Sequence, residues 1–320
     1  MRKVALVMLV ALAVGAALLP TAASAAPVQA STGDSVRIVD LNLLHGVFCG
    51  MTNGCQAPDR VALLARQLEE ANCPEVVGLQ EINANLAQLI NDARKTLCDG
   101  KYKVVFKRPP RGVDTERVLT TLKVKSTKVI KLRGNFRTAS RAVLSTPIGR
   151  LVLVVTHQDG DPDTPINTCA TCPPPCRADA SPFQCQTDAA AGLATDTGGP
   201  KAIHVLMGDF NVTPTSGRYQ SLIAAGWVDS YLAAGNPECN PGTGVGCTSG
   251  RDDQNVNALK DPNAKESERI DFIFVKPPAS CQPAFGAGTG LFAATPAQNG
   301  PGGLVWMSDH TGVFADLSCA

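Results

Sequence analysis

The residues best suited to chemistry stand at the ends of predicted strands. An apolar run at 203–207 predicts a buried strand, and Gly208, Asp209 and Asn211 follow it almost at once. Side chains two positions apart in an extended segment project to the same face, so this carboxylate and carboxamide would lie side by side at the edge of a sheet. Taken alone, Gly-Asp-x-Asn is more typical of an Asx turn that closes an ordinary strand.

Similar endings recur along the chain, because polar and reactive residues follow or interrupt several other predicted strands. They are Asn42, Glu81, His157, Asp271, Asp309 and His310. Carboxylates such as Glu81 and Asp309 are oxygen ligands that suit Mg²⁺ or Mn²⁺. Imidazoles such as His157 and His310 suit acid–base chemistry or donation to a phosphate oxygen. The set therefore predicts a hydrolytic site, in which Asp271 would hold one imidazole in the required tautomer.

The elements that must position these residues are short strands mixed with helices. Alternating or continuous apolar runs predict strands at 36–42, 75–81, 104–106, 118–125, 128–132, 141–146, 151–156, 203–207, 270–275 and 313–317. Helical spacing of apolar residues predicts helices at 59–70, 84–97, 186–195 and 216–225. Strands and helices alternate irregularly, with hairpins as well as crossovers. This order favours an α/β (α+β) fold of mixed sheets covered by helices over a doubly wound parallel sheet.

The first 25 residues have the features of a signal peptide. Arg2 and Lys3 precede an apolar run at 4–19, and Ala23-Ser24-Ala25 fits a cleavage site. A membrane anchor is the alternative, but Gly15 interrupts the run and Pro20 follows it, which favours export with cleavage. We therefore expect a secreted protein with one catalytic domain at 26–320 and no stable membrane insertion.

The twelve cysteines all follow the predicted signal peptide, so disulfide bonds are expected in an exported chain. Their spacing predicts the pairs Cys49–Cys55, Cys73–Cys98, Cys239–Cys247 and Cys281–Cys319. The remaining four lie in one proline-rich insertion, at Cys169, Cys172, Cys176 and Cys185. Disulfides are favoured there too, with a zinc knuckle of four thiolates as the alternative.

Charge is distributed unevenly along the chain. The formal net charge is +1, and it becomes −1 when Arg2 and Lys3 are removed. The segment 101–141 carries thirteen Lys or Arg against Asp114 and Glu116, a balance of +11 that leaves the rest of the chain at −12. A basic face of this kind suits an anionic partner, whereas the alternative is a set of strand edges kept soluble by lysine.

Six motifs occur in the order and approximate spacing of the endonuclease/exonuclease/phosphatase superfamily, which the chain resembles from residue 38 to residue 316. They are Asn42, Gln80-Glu81, Thr156-His157, Gly208-Asp209-Phe210-Asn211, Arg269-Ile270-Asp271 and Ser308-Asp309-His310. Each motif alone is weak, and six in order are specific. The resemblance implies a four-layer sandwich, with two mixed β-sheets face to face and helices on the outer faces. It also implies cleavage of a phosphate ester with a divalent cation.

The resemblance also implies which residues hold the cation. Glu81 would be the principal metal ligand, with Asn42 beside it and Asp309 as a second or water-mediated ligand. Mg²⁺ is the expected ion, with Mn²⁺ or Ca²⁺ as alternatives.

Five further residues take catalytic roles by the same resemblance. Asp209 and His310 would orient and activate the attacking water, with Asp271 supporting His310. Asn211 would hold the phosphate, and His157 would stabilise the transition state or protonate the leaving group.

The sequence departs from the superfamily pattern at positions that bear on the substrate. Asn83 stands where nucleases of this group often carry a basic residue, which weakens a deoxyribonuclease assignment. The basic segment 101–141 could replace that contact. His45 has no counterpart in the shared set and is interpreted as local structure, with a phosphate contact as the less favoured alternative. His204 alternates into its strand and is interpreted as a satisfied core residue.

The favoured function is that of a secreted phosphodiesterase acting on nucleic acid through segment 101–141. A sphingomyelinase or other phospholipid phosphodiesterase is the main alternative, because Phe285, Leu291, Phe292 and Trp306 lie near one long loop. An inositol-phosphate phosphoesterase and a non-catalytic secreted binding protein stay open as well. Nothing in the sequence indicates an obligate protein partner, so a monomer is expected.

Overall fold

Apolar strands that are buried on both faces dominate the molecule. The computed structural model describes residues 34–49, 53–106, 115–132, 137–160 and 182–320. Its strands are β1 Ser35–Asn42, β2 Val76–Gln80, β3 Lys103–Val105, β4 Arg117–Thr120, β5 Lys123–Lys131, β6 Thr138–Thr146, β7 Gly149–His157, β8 Ile203–Asp209, β9 Val228–Asp229, β10 Asp271–Lys276, β11 Pro283–Phe285, β12 Gly290–Phe292 and β13 Gly312–Cys319.

The strands form two mixed sheets. The first has the order β11-β13-β1-β2-β4-β3, with β12 also paired to β13, and the second has the order β5-β6-β7-β8-β10-β9. The pairs β1–β2 and β7–β8 are parallel, and all the other pairs are antiparallel. The predicted mixed topology is therefore confirmed.

Helices cover the outer face of each sheet. They are α1 Asn53–Glu70, α2 Ala84–Ala93, α3 Pro182–Thr195, α4 Gly217–Ala224 and the short α5 Ser230–Ala233. Leu64 of α1 and Ile90 of α2 pack with Val39 of β1 in the core on the first sheet. The second sheet has its own outer core, which includes Leu193 of α3 and Leu222 of α4.

The space between the sheets is a third core. Ile38 and Val76 of the first sheet pack there with Leu153, Val205 and Ile273 of the second. Successive side chains of a strand point to opposite faces, so Ile38 faces the other sheet while its neighbour Val39 faces the helices. The predicted four-layer sandwich is confirmed.

One predicted strand, at 118–125, is wrong. The chain leaves the first sheet at the end of β4 and enters the second at the start of β5, so the segment belongs to two sheets. β-branched and apolar residues continue across the crossover, and the local pattern therefore does not reveal it. Three predicted helices also differ in length, since α1 begins at Asn53, α3 begins at Pro182 and α2 ends at Ala93. Gly54, Cys55 and Gln56 of α1 have positive φ, so its right-handed part begins after them.

The four disulfide pairs predicted from spacing are all present, namely Cys49–Cys55, Cys73–Cys98, Cys239–Cys247 and Cys281–Cys319. Cys185 is disulfide-bonded as well. Its three companions in the insertion lie outside the described residues, as does the predicted signal peptide. Of the helices in the described ranges, none is both long enough and apolar enough to cross a membrane.

Candidate active site

The strand register brings the predicted site residues to one edge of the two sheets. His157 and Asp209 are paired at the ends of the parallel strands β7 and β8, and Asp271 opens β10 directly opposite Asp209. In the other sheet, Asn42 is paired with the last residue of β2, which places Glu81 immediately beyond that strand. Asp309 and His310 precede β13, which pairs with β1.

Asn42 connects the two halves of the site. Its Nδ2 atom donates to Glu81 Oε1 and to Asp209 Oδ2, both at 3.0 Å, so it links carboxylates from different sheets. Its amide oxygen accepts from the backbone N–H of Leu44 at 3.0 Å. Asn42 thus orients two carboxylates, and its own role as a metal ligand stays a prediction.

Glu81 reaches the cleft because its backbone takes an uncommon conformation. Its φ is 60°, a left-handed value that is rare outside glycine and clusters at functional sites. The backbone N–H of His45 donates to Glu81 Oε2 at 2.8 Å, and the Asn83 amide donates to the His45 carbonyl at 2.9 Å. Asn83 also caps α2 by accepting from Leu86, so its first role here is to fix the local backbone.

His310 is paired with Asp271 at the floor of the cleft. His310 Nδ1 lies 2.9 Å from Asp271 Oδ2, so the carboxylate fixes the tautomer and leaves Nε2 facing the cleft. Nε2 lies 3.9 Å from Asp209 Oδ2 and 3.8 Å from Asp309 Oδ2. Burial alone would lower the pKa of His310, but the carboxylates of Asp271 and Asp309 raise it well above its usual value.

His157 lies between the Arg137 guanidinium and the Asn211 amide. Arg137 Nη1 lies 2.7 Å from His157 Nδ1, and a guanidinium only donates, so Nδ1 accepts and the ring proton resides on Nε2. Asn211 Nδ2 lies 3.0 Å from that Nε2 and donates to the Gln158 carbonyl at 2.9 Å. Two N–H donors therefore converge beside Asp209, an arrangement that suits a phosphoryl oxygen.

The donor set fits a hard divalent cation. Glu81, Asp209 and Asp309 line one cleft, and oxygen ligands are those that Mg²⁺, Mn²⁺ and Ca²⁺ prefer. Ligand atoms of Asp209, Asp271 and His310 also lie within 4.8 Å of one another, which forms a second possible group. Within that group Asp271 and His310 are already paired with each other. Glu81 and Asp309 are therefore the better candidates.

The electrostatics of the carboxylates support the same conclusion. Burial raises the pKa of Asp309 to about 6 against the opposing charge of His310, and the neighbouring Glu81 carboxylate adds to the rise. Burial also raises the pKa of Asp271, which His310 lowers and Asp209 raises again. Several acids that repel one another in a buried cleft would be stabilised by a bound cation.

Two buried arginines, Arg60 and Arg251, hold the loops around the site, and no local sequence pattern marks either of them. Arg60 of α1 donates to the carbonyl groups of Gly54 at 2.8 Å and of Leu43, and so joins two segments beneath the site. Burial lowers the pKa of Arg60 to about 10, an effect that the carboxylates of Asp309 and Glu81 oppose. An Arg on a helix usually faces water, so its spacing did not mark it as buried.

Arg251 is the second buried arginine and supports the segment 308–311 from outside. It donates to Thr311 Oγ1 at 3.1 Å and to the Ser308 carbonyl at 3.4 Å, and it pairs with Glu266 at 2.8 Å. Its guanidinium also lies 3.8 Å from the ring centroid of Trp306. Arg251 borders both the catalytic cleft and a second cleft of about 580 Å³, so it forms a wall between them.

The other two histidines take local roles. His45 Nδ1 accepts from the Val47 backbone N–H at 3.1 Å and lies 3.8 Å from Glu81, and its ring borders the cleft. His204 Nδ1 lies 2.7 Å from the Ala194 carbonyl, away from the site, which agrees with its interpretation as a satisfied residue.

The cleft has a volume of about 360 Å³. The described residues that line it are His45, Phe48, Glu81, Arg137, His157, Asp209, Asn211, Ser249, Arg251, Asp253, Ile270, Asp309 and His310. Six of the eight predicted site residues line it, and the other two, Asp271 and Asn42, lie beneath it as the supports of His310 and of Asp209.

This chain belongs to the Endonuclease/Exonuclease/phosphatase family, whose model matches residues 42–310. The match spans every motif from Asn42 to His310 and confirms the superfamily resemblance. Members of the family are metal-dependent phosphoesterases and nucleases, and this chain is a metal-dependent phosphoesterase. No curated protein matches the sequence.

Solved structures of several proteins have a similar fold. An endonuclease/exonuclease/phosphatase from Bacteroides vulgatus is 18% identical with a TM-score of 0.64, over 90% of this chain and 100% of that one. D. rerio TDP2 complexed with a single strand DNA product is 17% identical with a TM-score of 0.62, over 89% and 99%. The human Nocturnin catalytic domain with a bound sulfate anion is 16% identical with a TM-score of 0.59, over 90% and 94%. At these identities the similarity shows a shared fold.

Proposed function

We propose that this protein is a secreted, divalent-metal-dependent phosphodiesterase whose substrate is nucleic acid. The observation that carries the proposal is the arrangement around Asp209. His310 Nε2, whose ring is paired with Asp271, lies 3.9 Å from Asp209 Oδ2, and His157 Nε2 lies 3.4 Å from the same oxygen with the Asn211 amide beside it. A phosphate ester fits such a site because a proton acceptor and oxyanion donors lie close to one carboxylate.

Each side chain has a defined task in this proposal. In its neutral form His310 accepts a proton from the attacking water at Nε2, and Asp271 stabilises the imidazolium that results. A cation bound by the neighbouring carboxylates would favour the neutral form, because it would offset the charges that raise the pKa of His310. Asp209 orients that water, while the N–H groups of His157 and Asn211 donate to the phosphoryl oxygens. A divalent cation held by Glu81 and Asp309 would offset negative charge on the phosphate when bound.

Nucleic acid is favoured by basic residues that lead to the cleft. Lys123, Lys125, Lys128 and Lys131 follow one another along β5, the exposed edge strand of the second sheet. Lys131 pairs with the first residue of β6, next to Arg137, which lines the cleft. A phosphate backbone could follow this row to the site.

The basic surface is narrower than the sequence segment 101–141. Arg117 and Arg141 are buried, and Arg141 pairs with Asp196, so neither is exposed to an anionic partner. Residues 107–114 and 133–136 lie outside the described residues. Lys128 is exposed but also pairs with Asp196, at 3.2 Å. The proposed interface therefore consists of Lys123, Lys125 and Lys131 of β5 together with Arg137.

The phospholipid alternative has less support from the described surface. Phe292 and Trp306 are buried, and Phe285 and Leu291 are half-buried. Enzymes that reach a bilayer normally present exposed apolar or aromatic loops. The loop that made this alternative attractive does not expose such side chains.

Secretion is supported by the cysteine chemistry. Disulfides persist in oxidising compartments and are rare in the cytosol, and four complete pairs are present among the described residues. The signal-peptide pattern at 1–25 agrees with the same compartment.

Substrate choice can be tested by offering plasmid DNA, RNA and sphingomyelin vesicles to the wild type, to His310→Ala and to His204→Asn, each with Mg²⁺ and with EDTA. We expect Mg²⁺-dependent cleavage of nucleic acid by the wild type and by His204→Asn, which keeps a donor toward the Ala194 carbonyl. His310→Ala should lose about 100-fold or more of this rate. Release of phosphocholine without nucleic-acid cleavage would move the substrate to lipid, and no turnover of any phosphoester would favour the binding-protein alternative.

A further inference from the structure

One exposed aromatic ring stands at the edge of the catalytic cleft. Phe48 is 62% exposed and lines the cleft with the catalytic residues. The exposed large hydrophobic residues in the described ranges are Val47, Phe48, Val129, Ile223 and Val245. Phe48 is the most exposed of these five and the only aromatic one.

The loop that carries Phe48 is fixed to the catalytic backbone. His45 is held by Glu81 and by Asn83, and its ring accepts from the Val47 backbone. The ring of Phe48 packs edge-on against the His45 ring, with centroids 5.4 Å apart and an interplanar angle of 67°. The position of the aromatic ring is therefore tied to the position of Glu81.

Two further constraints fix the turn of this loop. Gly46 has a φ of +69°, and a Cβ atom there would collide with the backbone of Gly54 in α1. The next turn closes through a hydrogen bond from the Cys49 backbone N–H to the Gly46 carbonyl at 3.3 Å, and Cys49 is bonded to Cys55. An exposed apolar ring held in this way loses little conformational entropy when a ligand covers it.

The rest of the cleft offers almost no apolar surface. Among its described lining residues only Phe48 and Ile270 are hydrophobic, and Ile270 is 6% exposed. A phosphate held by His157 and Asn211 needs no such contact, so the ring is available to the organic group that the phosphate carries. A flat aromatic face next to a phosphate site is best matched by a planar ring.

We propose that Phe48 is a stacking platform for a nucleobase of the substrate, adjacent to the scissile phosphate. The proposal rests on the proposed phosphodiesterase function. Base stacking on one aromatic side chain contributes about 10- to 100-fold in affinity. It tolerates every base, so Phe48 would add affinity without sequence specificity. A bilayer is a poorer match, because interfacial binding requires a larger apolar surface than Val47 and Phe48 provide.

The test compares two single strands of equal length and charge, one of thymidylates and one whose sugars carry no base. Binding is measured by calorimetry in Mg²⁺ on a His310→Ala background, so that cleavage does not deplete the ligand. With Phe48 present, the thymidylate strand should bind about 10- to 100-fold more tightly than the abasic strand. Phe48→Ala should bring this ratio close to one, Phe48→Trp should retain it, and Ile223→Ala, an exposed control on α4, should leave it unchanged.

A ratio that survives Phe48→Ala would overturn the proposal, as would equal losses for the two strands. Co-sedimentation with sphingomyelin vesicles that depends on Phe48, with no base-dependent binding, would overturn it too. Wild-type turnover of the same strands is measured separately. If the wild type binds thymidylates through Phe48 but cleaves no phosphodiester, the proposed function fails while the stacking platform stands.

Discussion

His157 and His310 in the cleft differ in the groups that hold them, and on that ground we propose different tasks for them. His310 is held at Nδ1 by the carboxylate of Asp271, which favours an imidazole that can gain a proton. His157 is held at Nδ1 by the Arg137 guanidinium, which favours a neutral ring that donates through Nε2. We therefore assign proton transfer to His310 and oxyanion binding to His157.

Replacing the carboxylate that supports His310 tests this division of work. Asp271→Asn keeps the shape of the side chain but removes the charge that stabilises the imidazolium, so kcat should fall by about 100-fold or more. Asp92→Asn, on the exposed face of α2, is the matched control and should be neutral. The measurement is kcat and KM for a single-stranded oligonucleotide. Full activity of Asp271→Asn would remove His310 from proton transfer.

Glu266 gives a pH-dependent prediction at a residue outside the predicted catalytic set. Burial raises its pKa from 4.5 to about 7, against the charge of Arg251, which lowers it. The folded state thus binds this proton more tightly than the unfolded state, and the stabilisation is complete below about pH 4.5 and lost as the pH rises through about 7. As the pH rises through this range, the free energy of unfolding should therefore fall, and this group should account for up to about 3 kcal/mol of the fall.

Glu266→Gln has no titrating side chain at this position, so its free energy of unfolding should fall less as the pH rises. Urea unfolding of both proteins at about pH 5 and about pH 8, without metal, measures the difference between the two falls. Other buried acids titrate in both proteins, so their contributions to the free energy of unfolding cancel in the comparison. The same fall in the variant and in the wild type would contradict the assignment of this proton to Glu266.

At the scale of elements, the end of β8 depends on a glycine that no larger residue can replace. Gly208 has a φ of +143°, and a Cβ atom there would collide with the carbonyl of Thr156 on the neighbouring strand β7. The close approach of the two strands puts Asp209 opposite His157. Gly208 thus helps to position Asp209 at the edge of the cleft.

Gly208→Ala should consequently cost stability and activity together. We expect a loss of about 2 kcal/mol or more in the free energy of unfolding, because either the strand pair or the backbone must distort. Gly192→Ala in α3 is the control, since a Cβ there meets nothing within 4 Å and alanine favours a helix. Thermal unfolding and oligonucleotide cleavage measure the two effects. Wild-type activity in Gly208→Ala would contradict this role.

The elements also show how far the sequence predicts the site. Strand ends marked by Glu81, His157 and Asp209 are visible locally, because apolar runs stop there. The partners that complete the site come from distant segments whose own pattern looks ordinary. Arg137 follows a stretch of mixed polarity, and Arg60 lies on a helix where arginine is normally solvated. Periodicity reports burial along one element and does not report which other element lies against it.

At the scale of the whole molecule, the end of the chain is tied to its body. Cys319 at the end of β13 is bonded to Cys281, which lies 38 residues earlier, before the edge strand β11. β13 pairs with β1, β11 and β12, so this bond restrains a central strand of the first sheet.

Replacing Cys281 and Cys319 together by alanine should lower the free energy of unfolding by about 4 kcal/mol, because the loop that the bond closes in the unfolded chain is long. The pair Cys239 and Cys247, separated by 8 residues, is the control and should cost less. Denaturant unfolding of the two double variants checks the order. A larger loss for the shorter loop would contradict it.

The central claim is that this cleft hydrolyses a phosphodiester with a divalent cation and His310, and one measurement tests it most directly. Cleavage of a single-stranded DNA oligonucleotide is followed with wild type in Mg²⁺, in EDTA, and in EDTA after excess Mg²⁺ is restored, beside His310→Ala in Mg²⁺. The account predicts turnover that EDTA abolishes, that Mg²⁺ restores, and that His310→Ala lowers by about 100-fold or more. Turnover that persists in EDTA, or that His310→Ala leaves unchanged, would contradict it.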